Sequence, residues 1–292
     1  MDTFDAWAGR AVDVDVAGLR VAAHDDGPAD AATLTFLHGF PSSSHDVLPL
    51  LERVPELRVV AVDLPGFGAS AKPLGHRYSI HGAADAAEAA WARFGVSATV
   101  LVAHDYGVSV AQELLARQQL DGRTRPTRVT GVVWMNGGLY SDLHRPTAGQ
   151  QLLLDPEHGP ALAAAVDEAS FRGGIEVTWG QRRPPGDQEL HDMWCSMARD
   201  GGMAQAHQLL QYVADRREHG ARWIVALESC PLPMQFVWGE LDPVSGSHVA
   251  DRLAERLPSV PLHRLLDVGH WPPLEAPDEL AAAVGEVATA AG

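Results

Sequence analysis

The chain has 292 residues, 46% hydrophobic and 21% charged, which is enough apolar content for one large α/β domain and too much for extended disorder. Its net charge of −16 repels phosphate backbones and anionic lipid heads, so neither nucleic acid nor a membrane is an expected partner. The two cysteines, Cys195 and Cys230, have no metal-ligand spacing and no disulfide framework; with no signal peptide, no apolar run of about 18 residues and no His-Glu-x-x-His pattern, a cytoplasmic protein without a metal is expected.

Taken in chain order, Ala11–Val16 and Leu19–His24 flank Ala17-Gly18, the pattern of a hairpin with a two-residue turn. Ala32–Leu37 and Arg58–Val62 are buried-strand runs. The first ends at His38-Gly39-Phe40-Pro41 and the second at Asp63-Leu64-Pro65-Gly66-Phe67-Gly68. Ser79–Phe94 is Ala-rich, with Ser79 placed as an N-cap and Gly95 as a terminator, and predicts a helix. Ala98–Ala103 predicts a strand, Val108–Gln119 a helix, and Val129–Met135 a strand followed by Asn136-Gly137-Gly138. From 139 to 229 no strand pattern occurs, and helical segments are broken by Gly173-Gly174, Pro184-Pro185-Gly186 and Gly201-Gly202. Strand–helix alternation resumes with Met234–Trp238, Ser247–Leu257, Pro261–Leu266 and a helix from Glu275 onward. The expected fold is α/β: a mostly parallel eight-stranded sheet with helices on both faces. Residues 1–138 and 230–292 form the expected core, and 139–229 a helical cap inserted after the sixth strand.

The strand Ala98–Ala103 runs into His104-Asp105-Tyr106-Gly107 and then directly into a helix. A small-x-Asp-x-Gly turn of this kind is a nucleophile elbow with Asp where Ser usually stands. It exposes Asp105 at the C-terminal edge of the sheet, beside a helix N-terminus that favours an ionised carboxylate. Taken alone, Asp105 also fits a plain N-cap, Asp242 a turn residue before Pro243, and His270 a buried structural histidine. Their order favours a triad: Asp242 follows the strand Met234–Trp238, His270 follows the strand Pro261–Leu266, and nucleophile, acid, histidine is the order of this architecture. The loop His38-Gly39-Phe40-Pro41 stands where an oxyanion hole takes its second donor, so the backbone N–H groups of Phe40 and Tyr106 are the candidate pair.

These residues resemble the α/β-hydrolase superfamily over essentially the whole chain, and so imply the α/β-hydrolase fold. His104-Asp105-x-Gly107, His38-Gly39-Phe40-Pro41 and Gly269-His270-Trp271-Pro272 look like the epoxide hydrolase branch, and haloalkane dehalogenases share the Asp nucleophile. A closer likeness is to the mesoderm-specific transcript proteins of vertebrates and their bacterial relatives. It rests on His104-Asp105-Tyr106-Gly107, Asn136-Gly137-Gly138, His144-Arg145-Pro146, Leu209-Leu210-Gln211-Tyr212, Arg222-Trp223-Ile224-Val225-Ala226-Leu227 and Leu241-Asp242-Pro243-Val244.

A carboxylate attacking an ordinary ester would form a high-energy anhydride, whereas attack on a saturated carbon with a leaving group forms an alkyl ester that His270, oriented by Asp242, can help water to hydrolyse. The expected partners are therefore water and a small apolar substrate carrying an epoxide or an equivalent electrophilic carbon, with no cofactor. Epoxide hydrolases use two cap tyrosines as acids. Tyr212 resembles one of them, and the second position is empty, with Tyr140 or His144 as substitutes. Haloalkane dehalogenases carry Trp after the nucleophile and often Asn in the oxyanion loop; here these positions are Tyr106 and Phe40. Fluoroacetate-type dehalogenases have Arg after the nucleophile, also absent here. A dehalogenase, a carboxylesterase-like hydrolase and a non-catalytic ligand-binding protein are the alternatives. His38, His104, Tyr140, His144 and Trp271 complete the expected substrate pocket.

Overall fold

A computed structural model of the chain describes residues 3–122 and 124–292. Eight strands form one sheet: β1 Val12–Val16, β2 Leu19–Asp26, β3 Thr33–Leu37, β4 Arg58–Val62, β5 Ala98–Ala103, β6 Arg128–Met135, β7 Met234–Gly239 and β8 Leu262–Leu265, in the order β1-β2-β4-β3-β5-β6-β7-β8. The hairpin lies where the sequence places it. Ala17 at φ 53 and Gly18 at φ 87 make the turn, and Val16 faces Leu19. β2 pairs antiparallel with β4, and every later pairing is parallel. Because β3 sits between β4 and β5, the strand order reverses there. The C-terminal ends of β3 and β5 thus flank a crevice where open α/β sheets bind ligands.

Alternation along the strands decides which helices each face receives. Leu101 and Ala103 of β5 join Trp91, Tyr106, Trp134 and Phe236 in one core. Val100 and Val102 join Phe36, Val59, Val133, Val237, Leu280 and Val284 in the other. A strand buried on both faces reads as a continuous apolar run, as β5 does. Full burial of each large side chain contributes about 1.5–3 kcal/mol. Helices Ile80–Phe94 and Tyr106–Leu120 belong to the first face, and Pro277–Ala291 to the second. Ser79 Oγ caps the first of these by accepting from Gly82 N–H at 3.1 Å, and Gly95 at φ 66 ends it.

Between β6 and β7 no strand occurs among the described residues. The segment holds helices Ala148–Leu154, Gly159–Ala165, Glu168–Glu176, Asp187–Ala198, Ala206–Leu209 and Tyr212–Glu228. The last docks on Tyr106–Leu120, where Trp223 Nε1–H donates to Glu113 Oε2 at 2.8 Å. It also reaches Ile80, whose N–H donates to Asp215 Oδ2 at 2.9 Å.

Three details differ from the sequence reading. The helix after β5 begins at Tyr106 rather than Val108, because Asp105 itself occupies its N-cap position. The C-terminal helix is split into Pro272–Glu275 and Pro277–Ala291, since Pro277 lacks the N–H needed to continue the first. A helix at Phe4–Ala8, unread in the sequence, starts with Phe4 N–H bonded to Asp192 Oδ1 at 2.9 Å. No helix among the described residues is long and apolar enough to cross a membrane.

Candidate active site

At the end of β5 the backbone of Asp105 adopts φ 44, ψ −105, outside the favoured regions for a residue with a side chain. Such a conformation persists only where the surroundings over-determine it. Asp105 N–H is held by Asn136 O at 2.8 Å, and Gly107 N–H by His38 O at 3.0 Å. Gly107 has no alternative, because a Cβ there would strike the Leu37 carbonyl; at Gly137 one would lie 2.9 Å from Asp105 Cα. The elbow is thus clamped between the ends of β3 and β6.

The side chain it presents is 5% exposed. Asp105 Oδ2 accepts the Phe40 N–H at 2.9 Å. Oδ1 lies 4.0 Å from His270 Nε2. The Tyr106 N–H stands at the first position of its helix, where no intrahelical acceptor exists. On the other ring edge, His270 Nδ1 lies 2.8 Å from Asp242 Oδ2, so with an ionised Asp242 the Nδ1 carries the proton and Nε2 faces Asp105. Asp242 also accepts from Ser245 Oγ at 2.6 Å, Val244 N–H at 2.7 Å and Asn136 Nδ2 at 3.0 Å.

These contacts set the charges. Burial opposes ionisation of Asp242, but the His270 charge and the donors around it hold the carboxyl well below the usual range. Burial likewise opposes a charged His270, yet the Asp242 carboxylate, with help from Asp105, raises it to about 9. The arrangement is an ion-paired base poised beside a buried carboxylate. It can pull a proton from water once something weakens its own hold on one.

His270, Trp271 and Phe40 help to line an apolar cavity of about 250 Å³, with Leu153, Phe171 and Met203 among the residues opposite. Of the two carboxylates and the histidine, only His270 forms part of that wall. Tyr212 is buried, its ring 4.8 Å from that of Tyr106, and its hydroxyl is pushed up first by burial and then by the Asp105 charge, so it keeps its proton.

Four expected pocket residues are placed elsewhere. His38 is buried under the Phe40 loop: Nε2 accepts the Leu64 N–H at 3.0 Å, so Nδ1–H donates to Gly39 O at 2.8 Å. His104 lies behind the elbow, its Nε2 2.6 Å from His270 O; burial and then the His270 charge lower it to about 4. Both side chains turn under the sheet edge because they neighbour the residues that turn out. The Tyr140 hydroxyl donates to Glu228 Oε1 at 3.2 Å and lines neither this cavity nor its neighbour. His144 borders a second, smaller cavity with Arg216. Trp271 does line the apolar cavity, though its Nε1–H is already given to Thr178 Oγ1 at 2.9 Å.

The sequence reading missed three supporting residues. Asn136 joins β6, β7, elbow and acid at once: besides its bonds to Asp105 and Asp242, its Nδ2 donates to Gly239 O at 2.8 Å and its Oδ1 accepts Gly239 N–H at 2.6 Å. Its signal was a polar side chain directly after an apolar strand, at the same sheet edge as Asp105, Asp242 and His270. Thr178 O accepts the His270 N–H at 2.8 Å. Glu275 gathers the N–H groups of Gly269, Trp271 and Gly180 on one buried carboxylate, which shapes the histidine loop. No short-range pattern announces either contact.

This fold and site define a class of protein. The family model for the alpha/beta hydrolase fold matches residues 32–277, and the chain belongs to that family. Among its relatives are the hydrolase LipZ of Mycobacterium tuberculosis, 36% identical over 88% of this chain and 88% of LipZ, and the human mesoderm-specific transcript homolog protein, 35% identical over 89% and 80%. Among solved structures, the haloalkane dehalogenase DbeA from Bradyrhizobium elkani superposes with a TM-score of 0.80 at 24% identity, covering 96% of this chain and 97% of that one.

Proposed function

We propose that the protein hydrolyses an epoxide through an alkyl ester on Asp105, with residues 139–229 as a cap over a core of 1–138 and 230–292. The observation that carries this reading is the carboxylate at the elbow, with Oδ2 on the Phe40 N–H at 2.9 Å and Oδ1 at 4.0 Å from His270 Nε2. Asp105 attacks a ring carbon, the C–O bond opens, and Tyr212 gives its phenolic proton to the departing oxygen. Esterification removes the Asp105 charge that supports the protonated His270, so His270 returns a proton to the phenolate and becomes a free base. His270 then takes a proton from water as the water oxygen attacks the ester carbonyl. The oxyanion forms against the N–H groups of Phe40 and Tyr106. Collapse expels the diol oxygen, which takes its proton from His270. The Asp105 carboxyl passes its own proton to His270, restoring the starting state.

The same attack on a carbon–halogen bond needs N–H donors for the halide. Phe40 and Tyr106 supply none from their side chains, and the Trp271 indole is committed to Thr178. The two positions that resemble the halide-binding ones of dehalogenases thus lack an N–H here, and we take the epoxide reading forward. The test is intact-mass spectrometry of His270→Gln incubated with styrene oxide, 1-bromobutane or p-nitrophenyl acetate. Styrene oxide is expected to leave a stable adduct on Asp105 that Asp105→Asn does not form. Absence of any adduct, or an adduct formed only with the bromide, would overturn the proposal.

A further inference from the structure

One helical turn after Tyr212 lies a buried cation that no carboxylate pairs with among the described residues. Arg216 is 3% exposed. Its Nε donates to Ser109 Oγ at 2.8 Å, and its guanidinium carbon sits 4.5 Å from the centre of the Tyr212 ring. Its Nη2 is buried with no hydrogen-bond partner among the described residues, and no carboxylate pairs with it there. This is unusual in a chain whose 38 acidic residues outnumber its 22 basic ones. Arg117, by contrast, holds Glu113, Asp85 and Glu88. A charge buried without a partner is costly, and the cost is relieved when an opposite charge arrives.

Arg216 borders a cavity of about 140 Å³ together with His144, Arg217 and Ser141. His144 brings a second buried nitrogen without a partner, Nε2. Arg217, exposed on the next position of the helix, adds a further positive charge. The cavity also lies toward the elbow: the Arg216 guanidinium sits over the Tyr212 ring, which is 4.8 Å from the ring of Tyr106, the residue after Asp105. The space holds only a few heavy atoms. A planar guanidinium matches a planar two-oxygen anion, and His144 as its Nε2–H tautomer adds a donor.

We propose that this cavity is an anion subsite that takes the carboxylate of a substrate whose electrophilic carbon reacts at Asp105. The inference rests on the function proposed above for the origin of the carboxylate, but the binding site itself does not require turnover. The natural substrate is then a carboxylate-bearing epoxide, with its apolar part in the cavity beside His270 and Trp271.

The first arm of the test uses the whole protein and no chemistry. Thermal melts are recorded with butyrate, with its uncharged analogue butyramide, and with sodium chloride at matched ionic strength. Butyrate is expected to raise Tm progressively, as a ligand bound only by the folded state does, and the other two are not. Arg216→Met is expected to melt no lower than the wild type without ligand and to lose the butyrate shift. Should that variant fail to fold, Arg216→Lys keeps the charge without the planar donor pair and is expected to weaken butyrate binding at least fivefold. Equal shifts with butyrate and butyramide, or a butyrate shift that survives substitution of Arg216, would overturn the subsite. The second arm compares a carboxylate-bearing terminal epoxide with its methyl amide. At least a tenfold higher kcat/KM is expected for the acid, and Arg216→Met is expected to erase the difference. If neither epoxide alkylates Asp105 while butyrate still binds through Arg216, the proposed reaction fails and the subsite stands. If both react equally and butyrate does not bind, the subsite fails and the reaction stands.

Discussion

Replacing Asp105 by Asn isolates the charge that the proposed mechanism uses as its signal. The substitution keeps the size of the side chain and mimics the neutral ester. Asp105 Oδ1 lies 4.0 Å from His270 Nε2. Two unit charges at that distance interact by about 1 kcal/mol in water and about 4 kcal/mol at an effective dielectric constant of about 20. At about 1.4 kcal/mol per pKa unit, removing the negative charge lowers the histidine by about 0.7 to 3 units. Both groups are buried, which favours the larger figure. The His270 midpoint is about 9 in the intact site, and it is expected to fall to roughly 6–8 in Asp105→Asn by this arithmetic. Isotope-edited NMR of the histidine ring across the pH range reads it directly. A midpoint that stays near its original value would refute the idea that esterification frees the base, and hydrolysis would need another trigger.

Tyr212→Phe is expected to slow single-turnover opening of styrene oxide by about a hundredfold with little change in stability; an unchanged alkylation rate removes Tyr212 from the reaction. Asn136→Ala leaves Gly239 N–H and one Asp242 oxygen short of a partner, so urea unfolding is expected to show a loss of about 1–3 kcal/mol, with kcat falling as well. His270 is raised above its ordinary 6.5 to about 9 in the folded protein. Its contribution to stability is therefore complete below pH 6.5 and is lost as the pH rises through about 9. That contribution is at most about 3 kcal/mol, and the corresponding fall between pH 6 and 9.5 is expected to be absent from His270→Gln.

The scaffold was legible in the sequence because most parallel strands are largely apolar and buried, the short edge strand β8 with His263 and Arg264 being the exception, and because helix signals such as Ser79 and Gly95 agree with the burial pattern. The expected positions of Asp105, Asp242 and His270 follow from strand order, since each stands in the turn that follows one of β5, β7 and β8. Residues next to these positions were harder to place. His38 and His104 are polar, adjacent to the site and turned away from it, and a one-residue step along a strand end is enough to reverse the direction of a side chain. Long-range partners were beyond reach: the bonds of Tyr140 to Glu228 and of Glu275 to Gly180 depend on how the segment between β6 and β7 docks, and no local periodicity encodes that. Arg216 is the same case reversed, a cation on an unremarkable helix whose isolation becomes visible only once its neighbours are known.

The wall of the apolar cavity has two sides of different character. On one, Thr178 carries the His270 N–H, Gln181 and Arg182 N–H groups both reach Asp267 O at 2.7 and 3.0 Å, and Gly180 is held by Glu275. On the other stand Leu152, Leu153 and Leu162, from helices Ala148–Leu154 and Gly159–Ala165. Refitting the enzyme to a bulkier or slimmer guest is therefore a task for the leucine side, where trimming or swelling a residue leaves the histidine loop seated. The stitched side is the wrong place to cut, because Thr178 O holds the His270 N–H and a change there moves the imidazole along with the fit.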